Sequence, residues 1–312
     1  MNTATGPGSA AAVSGPVRIG IDLGGTGTRF VAVDDESTVI ARATFATPVG
    51  IAPDAARSFL VQQARVVASG RPISTVGIGA SGPVDAAGVI RNPDTLPAFT
   101  DVELLGPVAA ELAAPVRIDN DAVTAALYEV HRGAAFGCDS ALMVTLGTGV
   151  GVAALRATEP VRGSDGTHPE AGHLSVTGAD APCYCGRLAC WEQLVSRSAL
   201  QRAAGSVVHA ATGTAADIDA AAELAQRGDA DAIAVFDAFG RYLAEGLADL
   251  LTVFRSSCVV LGGSAARYQP AFGPELDRRL AEIDLYGATP PVRISSAGDF
   301  GGAIGAACLA SS

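Results

Sequence analysis

The feature that most constrains the fold of this chain is a pattern that occurs twice, in which a short apolar strand enters a glycine turn and another strand follows. The first copy spans residues 17–33 and carries the turn sequence DLGGT at 22–26. The second copy spans residues 141–155 and carries the turn sequence LGTG at 146–149. A supersecondary unit that recurs along a chain indicates an internal duplication. We therefore predict two related halves whose glycine turns face each other across a cleft.

The rest of the chain alternates between strand and helix patterns. Further strands are predicted at 74–81, 116–118, 258–261 and 292–295. Helices are predicted at 53–69, 103–113, 120–132, 193–203, 215–227, 229–252, 270–283 and 300–310. This alternation indicates an α/β fold. Because 312 residues are many for one hydrophobic core, two lobes are expected.

The charge composition excludes several classes of function. The net charge is −11, whereas nucleic acids and anionic membranes require clustered positive charge on their partners. All 21 basic residues are arginine, which excludes a P-loop lysine, the strand lysine of protein kinases and Schiff-base chemistry. A bound phosphate must therefore be held by backbone amides, hydroxyl groups and Mg²⁺.

Two stretches bear on the location of the protein. Residues 1–16 are small and uncharged and lack the basic and apolar regions of a signal peptide, so we predict a disordered tail. No later segment approaches the length of a membrane span. Because nothing in the chain points to an oxidising compartment, we expect a cytoplasmic protein with reduced cysteines.

One histidine and three cysteines lie close together in the sequence, namely His173, Cys183, Cys185 and Cys190. One imidazole and three thiolates form a closed tetrahedral zinc site, which has no open position for catalysis. The alternatives are incidental burial, redox chemistry and disulfide bonding, although Cys183 and Cys185 are too close to bridge without strain. Glu170 and Glu192 bracket the four residues, so a structural zinc ion would fix two carboxylates beside a binding site.

The glycine turns are the candidate phosphate site, because they expose successive backbone N–H groups and admit a polyanion where a Cβ would clash. Tight turns also use glycine for steric reasons alone. Asp22, at the end of a strand, is placed to hold Mg²⁺ through water. The turns do not match G-x-G-x-x-G, which disfavours a dinucleotide fold. The candidate nucleotide-binding residues are Asp22, Gly24, Gly25, Thr26, Gly147, Thr148, Gly149, Gly262 and Gly263.

Asn120 and Asp121 follow a predicted strand and open a helix, at the edge where ligands bind in open α/β folds. Capping of the helix is the structural alternative for Asp121. The functional interpretation is that Asp121 accepts the proton of an attacking hydroxyl group while Asn120 holds a neighbouring hydroxyl. Phosphoryl transfer needs little beyond a base, in-line geometry and neutralised charge. Together with Glu170, His173 and Glu192, these two residues form a candidate polyol site.

From residue 17 to residue 310 the chain resembles the ROK family (repressors, open reading frames and sugar kinases) of the actin-like hexokinase superfamily. The most specific motif is ExGH at 170–173, followed by CxCGxxxCxE at 183–192. The resemblance implies a two-lobed actin-like ATPase fold, similar to ribonuclease H, with duplicated domains around a central cleft. It also implies that Asp121 is the catalytic base. The implied sugar contacts are Asn120, Asp121, Glu170, His173 and Glu192, and the implied zinc ligands are His173, Cys183, Cys185 and Cys190.

Three positions depart from the family pattern. Ala189 stands where the family usually has glycine, and we expect this change to be tolerated. Val123 replaces a frequent asparagine. Thr95 stands where an asparagine often precedes Leu-Pro and touches the sugar. The last two changes leave the identity of the hexose open.

The resemblance implies an ATP-dependent kinase for the 6-hydroxyl group of a hexose, with glucose as the first candidate. Mannose, N-acetylmannosamine and N-acetylglucosamine are alternative substrates, and polyphosphate is an alternative donor. The family also contains non-catalytic sugar-sensing regulators, whose DNA-binding domain precedes the first phosphate motif. We expect sixteen residues to be too few for such a domain.

The resemblance also implies the cofactors, the partner, the oligomeric state and the bounds of the two lobes. We expect ATP, Mg²⁺ and structural Zn²⁺ as cofactors and a small-molecule sugar as partner, with no nucleic acid and no membrane. The family commonly forms a homodimer or a homotetramer. The small lobe is expected at 17–121 plus about 297–312, and the large lobe at 122–296, with its zinc-binding segment at 170–192.

Overall fold

The computed structural model describes residues 15–177, 180–212, 217–283 and 289–309. Within them the strands are β1 (Val17–Leu23), β2 (Gly27–Val33), β3 (Val39–Ala46), β4 (Ile73–Ala80), β5 (Val116–Asn120), β6 (Ser140–Leu146), β7 (Val150–Arg156), β8 (Glu159–Pro160), β9 (Cys258–Gly262) and β10 (Val292–Ile294). The α-helices are α1 (Pro53–Ala68), α2 (Leu105–Leu112), α3 (Asp121–His131), α4 (Glu192–Val195), α5 (Arg197–Thr212), α6 (Ile218–Gln226), α7 (Ala230–Phe254), α8 (Gln269–Glu282) and α9 (Gly301–Leu309). Among the helices of these ranges, none combines the length and apolar character that a membrane span requires.

The strands form two five-stranded sheets with the same topology. The N-terminal sheet has the order β3-β2-β1-β4-β5, and the C-terminal sheet has the order β8-β7-β6-β9-β10. In each sheet the first three strands pair antiparallel and the last two join in parallel. Each half has its own buried apolar core. The predicted α/β duplication is therefore confirmed, and the two glycine turns are the β1–β2 and β6–β7 connections.

Helix α9 packs across the N-terminal sheet although it is distant from that sheet in sequence. Two glycines allow this approach, because a Cβ on Gly20 in β1 or on Gly77 in β4 would collide with the α9 backbone at Ala303 or Ala306. The helix is rich in Gly and Ala, as predicted, so its own surface is smooth. It also contacts α3, which packs on β6 and β7. The pair α3 and α9 therefore joins the two halves.

The structure differs from the sequence prediction in several elements. The prediction misses β8 and also β3, an edge strand whose residues are all at least partly exposed, so that no buried alternation marks it. The helix predicted at 193–203 is divided into α4 and α5, because Ser196 is extended and its Oγ accepts a hydrogen bond from the Ala199 N–H. The predicted tail up to residue 14 and the predicted helix ends at 215–216 and 310 lie outside the described residues.

Strands β1, β4 and β5 end side by side. The parallel register pairs Leu23 with Ala80, and Ala80 in turn with Asn120. The glycine turn after β1 and the junction between β5 and α3 therefore lie at one edge of the N-terminal sheet. This edge carries all the candidate residues that come from the N-terminal sheet and its connections, from Asp22 to Asp121.

Candidate active site

The junction between β5 and α3 holds Asn120 and Asp121. Asn120 caps the helix: its Oδ1 accepts a hydrogen bond from the Ala122 N–H at 2.7 Å, and its Nδ2 donates to the Gly82 carbonyl oxygen at 2.9 Å. The capping role considered for Asp121 thus belongs to Asn120. Asp121 is the first residue of α3 and is not its N-cap.

Burial raises the pKa of Asp121 to about 7. Burial is the largest cause because it disfavours the ionised carboxylate, and the negative charges of Asp22 and Glu170 act in the same direction. Hydrogen bonds from the Ala122 N–H and the Ser81 side chain oppose this change. A carboxyl group with a pKa near neutrality is suited to exchange protons at physiological pH.

Asp22 lies at the same sheet edge, near the end of β1. Its Oδ2 is 3.3 Å from the guanidinium of Arg29, its register partner across the β1–β2 hairpin. Gly302, in the first turn of α9, lies against the Asp22 carboxyl group, since a Cβ there would be 3.2 Å from Asp22 Cγ. Burial raises the pKa of Asp22, and Arg29 opposes that rise. Asp22 is therefore enclosed between β2 and α9.

The backbone of the first glycine turn is fixed by its neighbours. The Thr47 hydroxyl donates to the Gly24 carbonyl oxygen at 2.5 Å. A Cβ on Gly25 would collide with Thr95, so the loop that carries Thr95 packs directly against this turn. Thr95, one of the departures from the family pattern, thus lies beside a candidate phosphate-binding glycine.

The second glycine turn receives a carboxylate from another part of the chain. Glu192, the first residue of α4, is buried, and its Oε2 accepts a hydrogen bond from the Val150 N–H at 2.9 Å. The same oxygen fills the place where a Cβ on residue 149 would stand, which explains Gly149 on steric grounds. Gly147 has open space at the corresponding place, with no atom closer than 3.9 Å.

The third glycine turn packs on the second. Gly263 has a φ of 77°, and a Cβ there would collide with the backbone of Leu146. The Ala265 N–H donates to the Leu146 carbonyl oxygen at 3.0 Å. Gly262 ends β9 and pairs with Thr145 of β6. The structure therefore brings together the nucleotide candidates of the C-terminal sheet.

The four predicted zinc ligands converge. The ligand atoms of His173, Cys183, Cys185 and Cys190 all lie within 4.8 Å of one another. Cys183 Sγ is 3.5 Å from His173 Nδ1, and Cys185 Sγ is 3.6 Å from Cys190 Sγ. A tetrahedral ion with Zn–S and Zn–N bonds of about 2.3 and 2.0 Å would separate such ligands by roughly 3.5–3.8 Å. The donor set and its spacing therefore fit zinc, and all six cysteines are free thiols.

The cysteine segment is anchored in the core beside its last ligand. Trp191 follows Cys190, is fully buried, and donates from Nε1 to the Tyr242 carbonyl oxygen at 2.8 Å. Ala189, on the other side of Cys190, has a φ of 61°, in the left-handed region that favours glycine. This conformation explains why glycine suits the position. The expectation that alanine is tolerated here stays a prediction.

The second ring nitrogen of His173 does not face the cluster. His173 Nε2 lies 3.3 Å from the hydroxyl oxygen of Tyr184, whose ring meets the imidazole edge to face at a centroid distance of 5.2 Å. Burial and the negative charges of Glu192 and Glu170 raise the pKa of Tyr184. His173 Nε2, Glu170 and Glu192 therefore lie within electrostatic reach of one tyrosine hydroxyl, which the sequence reasoning did not single out.

A buried charged group beside the candidate site was also missed. The guanidinium of Arg162 pairs with both carboxylate oxygens of Asp119, the residue before Asn120. His168 is buried, and its Nε2 lies 3.7 Å from Glu170 Oε1. Burial lowers the pKa of His168. The sequence THPE at 167–170 could have indicated a histidine close to the glutamate, but it offers no sign of the distant partner Asp119.

Comparison with known proteins places this arrangement in a known class. A ROK family glucokinase from Streptomyces griseus, solved in complex with glucose and AMPPNP, is 28% identical, superposes with a TM-score of 0.78, and matches over 94% of this chain and 98% of that chain. The glucokinase of Pyrobaculum calidifontis is 32% identical over 94% of both chains. The kanosamine kinase of Amycolatopsis mediterranei is 30% identical over 95% of this chain and 96% of the relative.

The duplicated sheets, with their glycine hairpins, define a two-lobed α/β protein of the actin-like ATPase fold. The family model named "ROK family" matches residues 18–312. The chain belongs to the ROK family.

Proposed function

We propose that this ROK-family sugar kinase transfers the γ-phosphoryl group of ATP to the 6-hydroxyl group of a hexose, with glucose as the first candidate. The observation that carries the proposal is the environment of Asp121, a carboxyl group at the edge of the N-terminal sheet with a pKa of about 7. A proton acceptor near neutrality is what phosphoryl transfer to an alcohol requires of the protein. The similarity to two proteins named glucokinase supports glucose.

The sugar is held by residues from both halves. In this proposal Asn120, Glu170, His173 and Glu192 bind hydroxyl groups, and Glu170 is open to a ligand because its side chain is 48% exposed. Asp121 accepts the proton of the 6-hydroxyl as its oxygen attacks the γ-phosphorus. The O–H bond breaks, the new O–P bond forms, and the bond from phosphorus to ADP breaks. Asp121 thus acts as the base, and the side chains that bind the other hydroxyl groups orient the sugar.

The triphosphate is assigned to the glycine turns, whose backbone N–H groups replace the missing lysine. The proposed contacts are Gly24, Gly25, Thr26, Gly147, Thr148, Gly149, Gly262 and Gly263. Asp22 would hold Mg²⁺ through water, and the ion would neutralise phosphate charge when it binds with the nucleotide. Support comes from the open space beside Gly147 and from the position of Asp22 near the end of β1.

Structural zinc is assigned to His173, Cys183, Cys185 and Cys190. The ion would link the cysteine segment to the short 3₁₀ helix Ala171–His173, which follows Glu170 directly. Its contribution is orientation, since four protein ligands leave no position for a substrate. We infer that the metal holds the His173 ring and the start of α4, where Glu192 lies.

An amino sugar is the second candidate substrate. The observation in its favour is the similarity to kanosamine kinase, which extends over 95% of this chain. Three carboxyl groups, those of Asp121, Glu170 and Glu192, surround the proposed sugar position, and an ammonium group would be attracted to them. The same carboxylates bind the hydroxyl groups of a neutral hexose.

An assay of sugar phosphate formation tests the proposal with either donor. Glucose, mannose, kanosamine, N-acetylglucosamine and N-acetylmannosamine would each be offered with ATP or with polyphosphate. We expect turnover with glucose and ATP, and we expect Asp121→Asn to reduce kcat by roughly 10³-fold or more while calorimetric sugar affinity stays within a few fold. Asp54→Asn, at an exposed position on α1, is the matched control. Absence of sugar-dependent turnover in the wild type, or full turnover in Asp121→Asn, would overturn the assignment.

A further inference from the structure

A bidentate ion pair joins a strand of the N-terminal sheet to the loop that follows the C-terminal sheet. Asp119 lies in β5 of the N-terminal sheet, whereas Arg162 follows β8 of the C-terminal sheet. Arg162 Nη1 donates to Asp119 Oδ1 at 3.3 Å, and Nη2 donates to Oδ2. The Asp119 side chain is 6% exposed. Such a fork-to-fork arrangement fixes direction as well as distance.

On the N-terminal side, the pair acts on the segment that carries the proposed base. Asp119 Oδ1 also accepts a hydrogen bond from the Asn120 N–H at 2.8 Å. Asp119 is therefore bonded at once to Arg162 and to the backbone at the start of α3. Any movement of the carboxylate would be transmitted to Asn120 and Asp121, which directly follow it.

On the C-terminal side, Arg162 holds the loop that leads to Glu170 and His173. Arg162 Nη1 donates to the Gly166 carbonyl oxygen at 3.2 Å. The loop is closed by a hydrogen bond of 2.9 Å from the Gly163 N–H to the Thr167 carbonyl oxygen. Asp165 Oδ1 accepts from the N–H and the hydroxyl of Thr167 at 3.1 and 2.8 Å. The guanidinium thus bonds to a turn that is closed by its own hydrogen bonds.

We propose that Arg162 and Asp119 are positioning residues that hold the base segment at residues 120–121 in register with the sugar-contacting segment at residues 170–173. This inference rests on the proposed function and deepens it. The two segments come from different sheets, and the proposed sugar bridges them, so their relative position determines whether the 6-hydroxyl meets Asp121. Asp119 accepts a hydrogen bond from the Asn120 N–H, and Arg162 donates to the Gly166 carbonyl oxygen, so the pair contacts the segments that lead to the proposed sugar residues.

Stability alone is a weak reason for such a pair. Asp119 is buried and Arg162 is partly exposed, so the desolvation of the carboxylate and the solvent screening of the guanidinium both reduce the net gain from their attraction. A bidentate ion pair that fixes the relative position of two binding segments affects the reaction rate instead, because small displacements of a reacting group reduce the rate steeply. The two roles make different predictions for paired substitutions.

The test uses Arg162→Met, which keeps an unbranched stem and removes every donor. Its matched control is Arg279→Met, because Arg279 donates from Nε and Nη2 to Glu245 Oε1 at 2.9 and 2.7 Å and is similarly exposed, at 33% against 36%, between α7 and α8. We expect Arg162→Met to lower kcat/KM for the sugar by roughly 10- to 100-fold, with KM for ATP changed less than about twofold. The control should keep wild-type kinetics.

A double variant separates positioning from stability. Asp119→Asn combined with Arg162→Met leaves no buried unpaired charge, and asparagine can still accept the Asn120 N–H. We expect its melting temperature to return toward that of the wild type while kcat/KM for the sugar remains low. Two results would overturn the positioning role but leave the proposed function standing. One is a wild-type kcat/KM in Arg162→Met, and the other is a double variant that recovers both its melting temperature and its kcat/KM for the sugar. Failure of the wild type to phosphorylate any sugar would instead overturn the proposed function, and the inference with it.

Discussion

The two glycine hairpins are built on the same strand order, yet they obtain their acidic side chain in different ways. In the β1–β2 hairpin, Asp22 belongs to the strand itself and pairs with Arg29 on the neighbouring strand. In the β6–β7 hairpin, Thr145 stands two residues before the first glycine, as Asp22 does, and the carboxylate comes from Glu192 of α4. The two hairpins therefore share a strand arrangement, but the carboxylate at the second one comes from outside the hairpin, at the start of α4.

The difference extends to what each hairpin depends on. Asp22 is enclosed by β2 and by α9, so its position is set by the N-terminal sheet. Glu192 lies two residues after Cys190, so its position is set by the cysteine cluster and by Trp191 in the core. We therefore expect the first hairpin to be insensitive to zinc and the second to be sensitive to it.

The largest effect is expected from the first hairpin. Asp22→Asn should lower kcat by roughly 10²-fold or more, because the proposed Mg²⁺ contact is lost.

The proposed base, Asp121, works only when it is ionised. Wild-type kcat/KM should therefore fall about tenfold per pH unit below a midpoint near pH 7, the pKa of Asp121. Because the charge of Asp22 raises that pKa, the variant should have its midpoint at lower pH. Profiles of kcat/KM against pH for both proteins check this, and an unchanged midpoint would contradict it.

The second prediction concerns Glu192, the carboxylate that reaches the β6–β7 hairpin from α4. Cys185→Ser should lose zinc and raise KM for the sugar by roughly tenfold or more, because the metal would no longer hold the segments next to Glu170 and Glu192. Metal analysis of freshly purified protein and calorimetric sugar binding measure the two effects. Cys138→Ser, outside the cluster, is the control. Wild-type protein without zinc, or a zinc-free variant with normal sugar affinity, would remove the distinction between the hairpins.

A third prediction compares two glycines of the same turn. Gly149→Ala should displace Glu192, whose Oε2 fills the space of a Cβ, and should raise KM for the sugar by about tenfold. Gly147→Ala places its methyl group in open space, so the sugar KM should be unchanged and KM for ATP should rise. Steady-state kinetics with each substrate varied in turn separate the two. Identical behaviour of both variants would show that Glu192 does not distinguish these positions.

The smallest effect is expected next to the last cysteine. Ala189 has a left-handed backbone, so Ala189→Gly should raise the free energy of unfolding by about 1 kcal/mol by relieving strain. Denaturant unfolding of the zinc-loaded protein measures it. Ala113→Gly, at the left-handed position that ends α2 in the N-terminal half, should stabilise by a similar amount without changing zinc retention. A destabilised Ala189→Gly protein would mean that the backbone there is not strained.

Patterns that are local in sequence were predictable, and contacts between distant segments were not. The hairpins, the duplication and the α/β alternation follow from short apolar runs and glycine, and the structure has them. The convergence of His173 with three cysteines followed from donor chemistry and close spacing. The pairing of Asp119 with Arg162 and of Glu192 with the Val150 N–H could not be predicted, because each joins segments whose relative position is set only by packing. The edge strand β3 was missed because none of its residues is fully buried.

The fit of α9 against Gly20 and Gly77 has a consequence for biosynthesis. The first sheet is translated early, but the face around Gly20 and Gly77 is covered by residues 301–309, which leave the ribosome much later. Until then the strands β1 and β4 present bare backbone and small side chains to solvent. The half of the molecule that is synthesised first is therefore completed last, and a nascent chain arrested before residue 301 should display that surface to chaperones.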